Sequence, residues 1–73
     1  MDVWIVTEYT NDGDVFVAAA FKYERDAIVE ARRLMEIESE GRKQKYYVSD
    51  NQRTLILLDN SYTVEVVRRL VRS

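Results

Sequence analysis

Residues 3–21 constrain the fold more than any other stretch of this chain. Val3-Trp4-Ile5-Val6-Thr7-Glu8-Tyr9 is a run of β-branched and aromatic residues, side chains that suit a pleated, half-buried surface. Asn11-Asp12-Gly13-Asp14 follows, and Gly13 supplies the positive φ that a tight hairpin turn needs. Val15-Phe16-Val17-Ala18-Ala19-Ala20-Phe21 reads as the return strand. The loop shares Asp residues with a calcium loop, but it lacks the Glu at the twelfth position and the flanking helices of that motif. A hairpin turn is the expectation.

Both faces of this hairpin are apolar. Strict alternation puts Val3, Ile5 and Tyr9 on one face with Val15, Val17 and Phe21. The other face takes Trp4, Val6, Phe16, Ala18 and Ala20. A strand with one solvated face alternates apolar with polar residues. The pattern therefore predicts a cover on each face of the sheet.

Glu24 to Glu40 has the period of a helix. Ala27, Ile28, Ala31, Leu34 and Met35 fall within an arc of about 120°, with most charges opposite. Asp26 suits the positive end of the dipole. Tyr23 stands at the N-cap, where a small polar residue would serve better, and Gly41 reads as the stop signal. Val29 and Ile37 lie off the apolar arc, which makes them either singly exposed residues or the mark of a contact.

Gln44 to Val48 reads as a third strand, Asp50-Asn51 as a turn and Arg53 to Leu58 as a fourth strand. The unbroken Leu55-Ile56-Leu57-Leu58 run fits a strand covered on both sides. Residues 62–72 satisfy two patterns. Their Val and Thr content favours a strand. On a helical wheel, Tyr62, Val64, Val66, Val67, Leu70 and Val71 share an arc of about 200°, with Glu65 early and Arg68, Arg69 and Arg72 late, as the helix dipole prefers. Asn60 or Ser61 could cap such a helix. The expectation is a C-terminal helix over residues 62–72. The whole is then a single-domain α+β fold over residues 1–73, in the order β-β-α-β-β-α, with an antiparallel sheet, the first helix on one face, and the second helix or a second subunit on the other.

Composition narrows the chemistry. The 73 residues include no Cys and no His, which removes disulfides, Cys/His zinc sites, thiol nucleophiles and histidine bases. No glycine-rich phosphate loop is present. We expect no enzyme activity, no catalytic residues, no metal site and no cofactor. Net charge is −2, so nucleic acid, which attracts basic domains, is disfavoured as a partner. Lys45-Tyr46-Tyr47 has the basic-aromatic composition of single-strand binders but lacks the RNP spacing. No apolar run approaches the ~20 residues of a membrane helix. No secretory leader follows Met1, and together with the missing Cys this predicts a cytoplasmic protein. Glu36, Glu38 and Glu40 beside Arg42, Lys43 and Lys45 are either a charged docking site or local neutralisation of a helix end.

Residues 3–35 resemble a loose group of small proteins from bacteria and their phages. The shared features are Trp4, Val6 and Tyr9 on the first strand, Asp12-Gly13 in the turn, Phe21 closing the second strand, and Glu24 and Ala27 entering the helix. Members of that group carry Ser, Thr or Asp where this chain has Tyr23. The resemblance implies a small accessory protein of phage origin and brings no active site with it.

These features lead us to expect a protein-binding module, a modulator or inhibitor of a bacterial host protein, acting in the host cytoplasm and forming a homodimer. The expected contact residues are Val29, Ile37, Tyr62, Arg68, Arg69 and Arg72. Two other readings compete: a small-molecule sponge or sensor with its ligand held between subunits, and a nucleic-acid-binding accessory protein.

Overall fold

The computed structural model describes residues 1–71. Its elements are β1 (Asp2–Thr10), β2 (Val15–Phe21), α1 (Glu24–Arg42), β3 (Tyr46–Val48), β4 (Thr54–Leu57) and β5 (Tyr62–Leu70). The strands form one antiparallel sheet in the order β2-β1-β5-β4-β3. α1 leaves one edge strand, crosses a single face of the sheet and delivers the chain to the other edge. The α+β class, the hairpin and the first helix are as expected; the order is β-β-α-β-β-β.

The C-terminal segment is therefore a correction. Residues 62–70 form a strand, not a helix, and that strand is the centre of the sheet. β5 pairs with β1 along its whole length and with β4 on its other side. Tyr62, Val64 and Val66 are buried, and their odd-numbered neighbours are not. Positions 62, 66 and 70 are both four apart and even-numbered, so they fit a helical stripe and a strand face alike. Long-range pairing decides between the two, because a helix here would leave β1 and β4 unpaired where they now meet β5. Arg68 shares the face of Val64 and Val66, yet its side chain is exposed and lies 3.9 Å from Asp2. Asn60 and Ser61 shape the β4–β5 turn instead of capping a helix. Asn60 adopts φ 62° there, and the Ser61 N–H donates to the Asp59 carboxylate at 2.9 Å. The same short-range side-chain chemistry serves caps and turns.

A bulge corrects the facing of β2. Val6 pairs with Ala19 and Thr7 with Val17, so Ala18 has no residue opposite. Beyond it the alternation inverts. Phe21, opposite Trp4, joins the helix-covered face, and Ala20, opposite Ile5, joins the other.

The core lies between α1 and the sheet. Ala27, Ala31 and Met35, spaced four apart, are buried against Val6, Leu55, Leu57, Tyr62, Val64 and Val66. Small residues at 27 and 31 let the helix approach the strands closely. Leu55, Leu57 and Met35 are fully buried, each worth about 1.5–3 kcal/mol. Trp4 closes one end of the core. The Arg53 guanidinium stacks 4.7 Å from its ring centre and donates to Glu24 at 2.6 Å. Tyr23 stands at the N-cap without a capping bond.

Gly41 does not end α1. The helix runs on to Arg42, and Lys43 takes the left-handed conformation at φ 55°. Gln44 fixes that exit. Its N–H donates to the Ser39 carbonyl at 3.0 Å and its side-chain amide to Asp59 at 2.7 Å. A residue with a Cβ is strained at such a φ. Lys43→Gly is expected to raise stability by about 0.5–1 kcal/mol, read from the urea midpoint. Asp59 gives a second expectation. Hydrogen bonds from the Ser61 hydroxyl, the Gln44 amide and the Ser61 N–H hold its carboxyl down at about 2, against an ordinary 3.8. That stabilisation is present above the ordinary value and is lost as pH falls towards about 2. Asp59→Asn should flatten the dependence of the urea midpoint on pH across that window.

Candidate interaction surface

α1 covers one sheet face only, and the molecule measures 42 × 23 × 18 Å, the thickness of one helix layer on one sheet layer. The uncovered face is built from the alternate residues of every strand. β1 contributes Val3, Ile5, Thr7 and Tyr9, and β2 contributes Val15, Val17 and Ala20. Thr63, Glu65, Val67 and Arg69 come from β5, Thr54 and Ile56 from β4, and Tyr47 from β3. The hairpin half of this face is mainly apolar, with Thr7 within it, and the β4–β5 half carries Thr54, Thr63, Glu65 and Arg69. The Tyr9 hydroxyl donates to Glu65 at 3.3 Å, and the Glu65 charge with this bond raises the phenol above its ordinary pKa. No element of the described chain covers this face, so the cover predicted for it on both sides is present on one.

The two sheet edges differ. β3 is three residues long and follows Lys45, so it offers little to pair with. β2 is seven residues long and contains no charged side chain. Its Phe16 and Val17 are 52% and 69% exposed. Beside the end of β2, Phe21, Asp26, Val29 and Glu30 line an open groove of about 300 Å³. Val29 and Ile37 are exposed on α1. Phe16 lies opposite Glu8, whose carboxylate accepts the Tyr62 hydroxyl at 2.5 Å.

The expected contact residues do not come together. Val29 and Ile37 belong to the helix layer. Tyr62 is 4% exposed; burial, then its bond to Glu8, raise its pKa. Its side chain is part of the core. Arg68 and Arg69 are exposed at one end of β5 but point to opposite faces. Arg72 lies outside the described residues. Part of the charged cluster at the end of α1 is paired within the chain: Glu38 meets Arg42 at 3.2 Å, Glu36 accepts from the Tyr46 hydroxyl at 2.5 Å, and Arg42 also reaches Ser61. Sequence reasoning missed Val15, Val17 and Phe16 as surface residues. Their signal is the hairpin that is apolar on both faces, which predicts a cover on each face, from a second helix or a second subunit, without marking these residues as surface.

Among the described residues no three acidic side chains gather to hold a metal ion, and no helix is long and apolar enough to cross a membrane. The geometry defines a two-layer α+β module with a bare sheet face and an uncharged edge. Comparison with protein families, curated proteins and solved structures yields no match for this chain.

Burial separates these residues experimentally. Tyr62→Ala should cost about 3–5 kcal/mol in urea unfolding. Val29→Asp and Ile37→Asp should each stay within about 0.5 kcal/mol of the parent.

Proposed function

We infer that this chain is a protein-binding module that takes an extended segment of its partner along β2. One observation carries the reading: a seven-residue edge strand without a charge, exposed on its outer side. An edge strand presents a row of backbone N–H and C=O groups that another strand can pair with. Proteins usually blunt such an edge with Lys, Pro or extreme shortness, and β2 has none of these. The bulge at Ala18 is its one protection, and it divides the edge into two short runs. The run from Ala19 to Phe21 adjoins the groove lined by Phe21, Asp26, Val29 and Glu30. A partner strand there would place an apolar side chain against Phe21 and Val29 and a basic one beside Asp26. Main-chain pairing supplies affinity in this mode, and the side-chain groove supplies selectivity.

The finer reading is a phage-encoded modulator or inhibitor of a bacterial host protein, acting in the host cytoplasm. It rests on the resemblance of residues 3–35 and on the absence of Cys and His. The same absence supports a non-enzymatic role.

The test uses two baits, the parent chain and Phe21→Lys/Val29→Lys, in a bacterial lysate read by quantitative mass spectrometry. A stoichiometric protein retained by the parent and lost from the variant, with new amide-exchange protection over residues 15–21 in the purified complex, is the expected result. Equal capture by both baits, or protection confined to other strands, would overturn the reading.

A further inference from the structure

The bare face carries a second inference, independent of the β2 edge. Ile5 and Val67 face each other across β1 and β5. Two residues from Val67 along β5, on the same face, stand Glu65 on one side and Arg69 on the other. The two positions are about 13 Å apart along the strand backbone. Among the described residues neither makes an ion pair, although Glu65 accepts a hydrogen bond from Tyr9. The middle of the face is thus apolar, flanked by one acid and one base at equal distances.

We propose that this face is the interface of a homodimer, in which two copies pack sheet against sheet about a two-fold axis at the level of Ile5 and Val67. An axis lying between the sheets and perpendicular to the strands reverses each strand over its own counterpart. It sets Ile5 and Val67 against the same residues of the second copy. It also brings Arg69 of each copy over Glu65 of the other, so both charges find opposite partners at once. An isologous interface requires this self-complementarity. Packed sheets cross at about 30°, which displaces residues two positions from the axis by about 3 Å, within the reach of an arginine side chain. Val17 of each copy comes to lie at the level of the other's Val3.

The area is sufficient for a weak dimer. With residues about 3.3 Å apart along a strand and strands about 4.8 Å apart, the face covers on the order of 500 Å² per copy. Two copies together remove on the order of 1,000 Å² from water, at the lower end of specific interfaces. The edge of β2 and the groove at Val29 stay open in this arrangement, so the dimer and the partner site are compatible.

Sedimentation equilibrium from 5 to 200 µM tests the proposal, with circular dichroism melts to verify folding. The parent is expected to dimerise with a dissociation constant in the micromolar range. Arg69→Glu and Glu65→Arg should each weaken dimerisation by about ten-fold or more, through like-charge contacts across the axis. The double variant Glu65→Arg/Arg69→Glu should return to within about three-fold of the parent, since the exchanged charges again oppose. A parent that is monomeric at 200 µM would overturn the proposal. So would a dimer unaffected by either reversal, or one that the double variant fails to restore. Capture of a partner by the parent but not by Phe21→Lys/Val29→Lys would be unaffected by these outcomes.

Discussion

Nine residue pairs join β1 to β5, from Asp2 against Leu70 at one end to Thr10 against Tyr62 at the other. Everything else in the sheet hangs on this ladder. On one side of it stands the β1–β2 hairpin, and on the other the β3–β4–β5 meander. Each is local in sequence and could form its own pairs. Only the β1–β5 ladder makes them one sheet, and only one continuous sheet offers α1 a surface wide enough to bury Ala27, Ala31 and Met35. The ladder brings together segments separated by most of the chain. Its pairs therefore follow the closure of a long loop, which makes the ladder the slow, cooperative event in folding.

This dependence explains what could be read from the residues. The hairpin is specified locally, by strand-forming runs on either side of Asn11-Asp12-Gly13-Asp14, and its turn closes with the Gly13 N–H on the Thr10 carbonyl at 3.1 Å. The helix is specified locally too, by the four-residue spacing of Ala27, Ala31 and Met35. The C-terminal segment is not. Tyr62, Val66 and Leu70 fit both periods, and a partner sixty residues away decides between them. Two smaller misreadings have the same origin. Gly41 is a sound local stop signal, overridden by the anchoring of Gln44 to Asp59 in a distant turn. The facing of Phe21 depends on a bulge that nothing in VFVAAAF announces.

The surface was legible in part for the same reason. Val29 and Ile37 stand out on a helical wheel because α1 is a local structure, and both are exposed. Tyr62 is buried, and its placement depends on the assignment of its whole segment. The surplus of apolar residues, first visible as a hairpin with two apolar faces, was real. Once β5 takes the central place, no second helix remains among the described residues to meet that demand, and among them nothing covers the face that carries Val3, Ile5, Val17 and Val67.

A chain of 73 residues without Cys or His has few other ways to gain stability. A domain this small buries only about 60% of its unfolded surface, and one helix on one sheet leaves half of the sheet's faces unused. β5 shows how a single strand can serve both needs. Its even positions, Tyr62, Val64 and Val66, build the core under α1. Its odd positions, Glu65, Val67 and Arg69, place an acid, an apolar residue and a base in a row on the other face. A strand meant only for solvent would have no need of valine at its centre. A strand meant only for a helix cover would carry no charge on either side of it. The alternation acid, apolar, base is the pattern that a two-fold axis through its middle residue satisfies, so in the proposed dimer the strand that holds the fold together is also the strand at the axis.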